Sequence, residues 1–393
     1  MRNAKVAHSA RVRQLEGIPT PLAVEPGPAP GSGRCWRRAL RWGTVTRRLA
    51  LASLCSREPM GQQVFERELN RRAQAALGQG WTVDRVEVRT LRSPLPGTVR
   101  VPSHLLIDAS PGLRRAAGRF IYRGHDVVHR LDLRLPPAPH PEVLTVHDVV
   151  PWRFPDEGKP PSDAAVTARR AAVVICPSQF SAEEVASQFG VMEPVTIPNG
   201  VDRAFFDATP LAEEGLTALG IRSPFILHAG GCTLRKNLDG LADAWPLVRA
   251  ARPDTTLVLM GPQDDRRDRL FAGLPGTVGT GRVDDPTLPA VMAAAAAVVV
   301  PSTYEGFGLP ALEGLAAGVP VVAARRSSLP EVCADAACLV EPDGPGLAEG
   351  LVAALDRGPD VATKIERGRV RARAFTWEAC VDAHARLWRS CSQ

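Results

Sequence analysis

From Arg48 onward, short unbroken apolar runs alternate with longer segments in which apolar residues recur every three or four positions. The first cycle reads "RLALASL", "GQQVFERELNRRAQAALGQG", "WTVDRVEVR": a buried strand, an amphipathic helix closing on glycine, and a second strand. The alternation continues through strands in "DVVHR", "VLTVHDVV" and "AVVICPS", a helix in "SAEEVASQFG" and a strand in "PVTIPNGVD". After a linker, "FFDATPLAEEGLTALG", it restarts with "PFILHAGG", the helix "NLDGLADAWPLVRA" and strands in "TTLVLMG", "TVGTG", "AVVVPS" and "VPVVAA". Short strands that are apolar throughout belong to parallel sheets covered by helices on both faces. The expected class is α/β, with two Rossmann-like parallel-sheet domains facing a central cleft, and ligands gather at the carboxyl ends of such strands.

A chain of 393 residues, 45% of them apolar, is long for one core and suits two. The expected boundaries are an N-terminal extension over residues 1–44, a first domain over 45–205, a second over 206–375, and a helix over 376–393 that packs back on the first. The extension, with "EPGPAPGSGR", reads either as disordered or as an over-long gene start. Its "CWRRALRW" is a solvated basic tail or a short helix at a membrane surface. The segment "GLRRAAGRFIYR" sets Leu113, Ala117, Phe120 and Ile121 on one side and arginines on the other. It is either an ordinary surface helix or one that rests on anionic lipid.

The net charge of +6 is carried almost wholly by arginine, the lysines being Lys5, Lys159, Lys236 and Lys364. No basic stripe with interleaved aromatics marks a nucleic-acid partner. Eight cysteines form no C-x-x-C pair, which suits scattered thiols in a reducing cytosol. No apolar run reaches the length of a membrane span. The expected location is cytoplasmic, with peripheral contact at the inner membrane face as the second reading.

Three loops that follow strands carry candidate chemistry. In "YEGFGLPALE", Glu305 and Glu313 stand eight positions apart around Gly306, Phe307, Gly308, Leu309 and Pro310. Exposed amides entering a helix hold an anion, whereas carboxylates repel one and accept hydrogen bonds from neutral hydroxyls. An anion flanked by polyols resolves the conflict, as in hexose, pyrophosphate and ribose. Glu313 is expected in the first helical turn, held in its charged form by the dipole. Alone, the motif is read equally well as a capped helix with Glu305 a solvated loop residue. In "HAGGCTLRKN", Gly230 and Gly231 allow close backbone approach, and Arg235 and Lys236 set two cations at a helix start, against its dipole. That placement suggests an anionic ligand. In "VHDVVPWRFP", His147 ends a strand facing the cleft and is either structural or a ligand contact.

With these residues in view, "PSTYEGFGLPALEGLAAGVPVVAARRSSLPEV" resembles the donor site of glycosyltransferase family 4, retaining sugar-nucleotide enzymes of the GT-B fold. The resemblance extends through "GGCTLRKN", "TVHDVVPWRFP", "VICPSQFSAEEV", "IPNGVD" and "FTW", from about Arg48 to about Trp388 in matching order. It implies Glu305 at the hydroxyls of the transferred sugar, Glu313 at the ribose, and amides from Gly306 to Leu309 around sugar and phosphate. It implies further that Arg235 and Lys236 neutralise the leaving diphosphate, that His147 lies near the donor sugar and that Val283 meets the base through its backbone. Gly61 resembles the remnant of a glycine-rich loop that binds phosphate and admits the acceptor.

Two departures stand out: Gly231 and Cys232 follow Gly230 where many members carry an arginine, and Gly61 is followed by Gln62 and Gln63 in place of further glycines. No Asp-x-Asp occurs in the chain. The expectation is metal-independent hexosyl transfer with retention, without a cofactor, from a nucleotide sugar to a hydroxyl of a lipid, polysaccharide or small molecule. A sugar-nucleotide epimerase, a phosphorylase and a non-catalytic sugar-nucleotide-binding module are the rival expectations.

Overall fold

The computed structural model describes residues 46–56, 60–139 and 141–392. The extension expected over 1–44, with its basic "CWRRALRW", lies outside the described residues.

The first parallel sheet contains β1 (Arg47–Leu54), β2 (Trp81–Thr90), β3 (Val99–Val101), β4 (Val127–Arg130), β5 (Glu142–Thr145), β6 (Val173–Cys176) and β7 (Val195–Thr196). Its strand order is β3-β2-β1-β4-β5-β6-β7. The second contains β8 (Phe225–Ala229), β9 (Thr256–Met260), β10 (Thr277–Gly281), β11 (Ala297–Val300), β12 (Val321–Ala324) and β13 (Cys338–Val340), in the order β10-β9-β8-β11-β12-β13. Every residue of β4, β5, β9, β11 and β12 is buried; β9, β11 and β12 accordingly read as apolar runs, whereas β4 and β5 bury His129, Arg130, Glu142 and Thr145 among their apolar residues. Strand order reverses between β1 and β4 and again between β8 and β11, so a crevice opens at the carboxyl end of each pair.

Helices cover both faces of each sheet. The last helix, Trp377–Cys391, lies against the first domain, where Trp377, Val381 and Trp388 join Leu49, Leu51 and Phe65 in one core. Trp388 Nε1 donates to His129 Nδ1 at 3.2 Å, which satisfies a buried indole.

The segment expected as a linker after β7 is instead built into the second domain. It contains the second half of the helix Arg203–Phe206 and all of the helix Glu213–Ala218, and Phe205 and Leu216 enter the second-domain core. The three-residue edge strands β3 and β13 add to the expected set, and "PVTIPNGVD" contributes only Val195–Thr196. The helix Pro111–Ile121 reverses the expected facing: Arg114 is its buried side chain, while Leu113 and Phe120 are exposed.

Candidate active site

The loops after β8 and β11 leave neighbouring strands at the second switch point, and they are tied together by Thr303 N donating to Arg235 O at 2.8 Å. The β8 loop closes in a short turn, Leu234–Lys236, so Arg235 and Lys236 precede the helix Leu238–Ala251. Gly230 N donates to Met260 O at 2.9 Å, holding the start of this loop on the neighbouring strand. Lys236 Nζ donates to Glu305 Oε1 at 2.7 Å, and Arg235 Nη1 donates to Glu305 Oε2 at 3.0 Å. Arg235 also donates from Nε to Glu157 Oε1 at 2.7 Å, which brings a first-domain carboxylate to the same guanidinium.

Burial raises the proton affinity of the Glu305 carboxyl, but Lys236 and Arg235 outweigh it and hold the group down at about 2. Burial lowers that of Lys236, with Arg235 adding in the same direction and Glu305 opposing. The cluster is thus two cations and two carboxylates assembled from three loops.

Glu305 is pinned on both sides of its backbone, its N–H donating to Ser327 Oγ and its carbonyl accepting from Ser328 Oγ, each at 2.9 Å. Beyond it, the amides of Gly306, Phe307 and Gly308 have no acceptor among the described residues. Gly308, at φ +100°, turns the chain into the helix Leu309–Ala317 with Pro310 in its first turn. Phe307 turns its ring into the core against Phe375, so only its backbone borders the crevice.

Glu313 departs from expectation. It is the fifth residue of the helix rather than a first-turn residue, so the dipole at the first amides does not hold its charge. Burial, with Asp285 and Asp202 adding, raises its carboxyl to about 7. Val283 packs against the second-domain core in the loop after β10, and Asp285 beside it pairs with Arg67 of the first domain at 2.6 Å.

The first domain closes directly on this turn. A Cβ at Gly306 would lie 2.4 Å from His147 O, so only glycine allows the two backbones to approach this closely. Ser178 Oγ and Ser181 Oγ both donate to Gly306 O, at 2.6 and 2.9 Å. His147 sits with its ring edge-on to Phe65, centroids 4.9 Å apart, and its Nε2 is buried without a partner among the described residues. Burial lowers this imidazole to about 4, with Asp132 opposing, so it is neutral at pH 7. Gly61 opens the helix Gly61–Leu77, and a Cβ there would lie 3.4 Å from Leu309 Cδ1. A Cβ at Gly231 would lie 3.3 Å from Met60 Cε, so the Met60–Gly61 segment reaches both second-domain loops.

The structure therefore gathers Arg235, Lys236, Glu305 and Gly306–Leu309 with His147, Gly61 and Gly231, and leaves Glu313 and Val283 along the same crevice. Glu157, Ser178, Ser181 and Glu331 were absent from the sequence reading. Glu331 accepts from Gln179 N at 2.8 Å and Phe180 N at 3.1 Å, capping a first-domain helix from the second domain. Ser178 and Ser181 lie in the quoted "VICPSQFSAEEV" and Glu331 in "SSLPEV", but no local pattern pairs them.

Comparison with known proteins matches residues 63–205 to a family model described as Glycosyltransferase Family 4 and residues 223–357 to one described as Glycosyl transferases group 1. O-antigen chain mannosyltransferase B of Escherichia coli is 37% identical over 168 residues, 40% of this chain and 43% of that protein. A GDP-mannose-dependent alpha-(1-6)-phosphatidylinositol dimannoside mannosyltransferase of Mycobacterium tuberculosis is 30% identical over 222 residues, 54% of this chain and 56% of that protein. The chain thus spans about half the length of the curated relatives it matches. Among solved structures, sucrose-phosphate synthase from Thermosynechococcus elongatus superposes with a TM-score of 0.69 at 23% identity, over 88% of this chain and 98% of that one.

Proposed function

The chain belongs to glycosyltransferase family 4 and has the GT-B fold, and from that premise we propose that it transfers a hexose from a nucleoside-diphosphate sugar to an acceptor hydroxyl with retention and without a metal. The observation that carries this reading is the pairing of Arg235 and Lys236 with Glu305 beside the unengaged amides of Gly306, Phe307 and Gly308. Two cations and a row of amides match a diphosphate, and a carboxylate in the same cluster matches sugar hydroxyls. A diphosphate competes with Glu157 for Arg235, and Glu305 keeps Lys236 while turning its lone pairs to the sugar. Glu313 accepts from the ribose further along the crevice.

In the transfer step the bond between the anomeric carbon and the diphosphate oxygen breaks, and a bond from that carbon to the acceptor oxygen forms on the same face. The acceptor proton passes to the departing diphosphate. Arg235, Lys236 and the helix N-terminus stabilise the charge on the leaving oxygens as preorganised donors. His147, neutral at pH 7 and with a buried Nε2 awaiting a partner, hydrogen-bonds a hydroxyl of the transferred sugar. The lack of an Asp-x-Asp pair supports a reaction without a divalent ion on the diphosphate.

The names of the two mannosyltransferase relatives make GDP-mannose the donor to test first, with UDP- and dTDP-hexoses beside it. A ligand that prefers the folded protein raises its apparent melting temperature. One nucleotide sugar is expected to do so and to release its nucleoside diphosphate slowly in the presence of chelator. A panel with no shift and no release argues for a different ligand, and release that stops with chelator overturns the metal-free step. Recovery of an isomerised nucleotide sugar or a sugar phosphate favours the epimerase or phosphorylase instead.

A further inference from the structure

Tyr304 belongs by sequence to the loop after β11, yet its ring is seated in the first domain. It is 6% exposed and joins a core whose other members, among the described residues, all come from the first domain and include Leu144, Val149, Val174 and Phe189. The ring stands edge-on to Phe154 and Phe180, with centroids 5.9 and 5.3 Å apart. Neither core of the second domain includes it.

The backbone around the same residue stays with the second domain. Tyr304 O accepts from Arg235 Nη1 at 3.2 Å, while the amides on either side, Thr303 N and Glu305 N, donate to Arg235 O and Ser327 Oγ. One peptide unit thus separates a ring anchored in one domain from the carboxylate that accepts from Lys236 and Arg235 in the other. A ring in a close-packed core moves only by displacing its neighbours, so its seat fixes the direction in which the chain leaves toward Glu305.

From this placement we infer that Tyr304 is a positioning residue for the transfer: its ring, held by the first domain, sets the Glu305 carboxylate against the transferred sugar. The sugar end of the donor site is therefore complete only with both domains in contact. The inference rests on the reading of Glu305 as the carboxylate at the sugar hydroxyls, and it gives Tyr304 itself no contact with substrate. Misplacing a site group by about 1 Å costs on the order of a hundredfold in rate, which is the scale on which a loosened ring acts. The diphosphate, held by Arg235, Lys236 and the free amides, is affected far less.

The test pairs kinetics with hydrogen exchange on the full chain, using GDP-mannose and GDP, or the nucleotide sugar and diphosphate that the thermal panel selects. Tyr304→Leu keeps an apolar side chain in the socket but loses the ring. It is expected to lower turnover at least about tenfold while diphosphate affinity, read by calorimetry, stays within about threefold. Tyr304→Phe keeps the ring and is expected to turn over within about twofold of the parent. Phe180→Leu, on the first-domain side, is expected to lower turnover in the same way, and the double variant to lose no more than the larger single loss, since both act through one contact. A melting transition above the assay temperature verifies that each variant is folded. Without any substrate, the bonded amides of Thr303 and Glu305 are expected to exchange faster in Tyr304→Leu and at parental rates in Tyr304→Phe. Parental exchange in Tyr304→Leu would overturn the inference. So would equal losses of turnover and diphosphate affinity, losses that multiply in the double variant, or a Tyr304→Phe variant as slow as Tyr304→Leu. A parent chain that turns over no nucleotide sugar counts against the transferase reading instead, and the exchange measurement still decides whether the ring holds the turn.

Discussion

Among single residues, Glu313 carries the clearest consequence for pH. Its carboxyl is raised to about 7 in the folded protein against an ordinary 4.5, so the native state retains a proton that the unfolded chain has lost. Stability from this group is present below the unfolded value and is lost as pH rises through about 7. Nucleotide binding runs the other way, because the charged carboxylate is the stronger acceptor for ribose hydroxyls. Nucleotide affinity measured by calorimetry is expected to rise as pH increases through about 7, and Glu313→Gln is expected to flatten that rise. An unchanged profile in the variant would remove Glu313 from ribose contact. Glu305 was legible as a site residue from its glycine-rich neighbours, but its pairing with both cations was not. The sequence separates Arg235 and Lys236 from it by three strands and three helices.

At the scale of elements, the turn over residues 305–309 is also a point of contact between the domains. Gly306→Ala brings a Cβ against the backbone of His147 and displaces the carbonyl that Ser178 and Ser181 share. The variant is expected to lose about 1 to 3 kcal/mol of stability and at least tenfold in turnover, read by melting temperature and steady-state rate. Parent-like values of both would show that the close approach is dispensable. The strands and long helices were readable because each repeats its own period many times over. The three-residue strands β3 and β13 were not, since a run that short shows no period and is held by a neighbour's ladder. The cap that Glu331 provides was hidden for a related reason, lying 152 residues from Gln179.

Across the whole molecule, Arg235 joins the domains through Glu157 while the proposed diphosphate needs the same guanidinium. Asp156 reinforces that closure by accepting from Leu234 N at 2.6 Å. Glu157→Gln, by weakening the competing pair, is expected to tighten donor binding about fivefold, as for a partly exposed ion pair worth about 1 kcal/mol. Weaker binding in the variant, measured by titration, would show that Glu157 supports the site rather than competing for it. No helix among the described residues is long and apolar enough to cross a membrane.

The sequence by itself determined the α/β class, the two repeated sheets and the loops that carry Glu305, Glu313, Arg235 and Lys236, because these depend on local period and on the residue types a turn requires. Only the tertiary structure decided which charges meet, which side of the Pro111–Ile121 helix faces out and where Glu313 stands relative to its helix end. Those outcomes depend on contacts between distant segments and on burial. Arg114 shows the reason: its many bonds to loop carbonyls outweigh the apolar stripe beside it, and no local pattern encodes that sum.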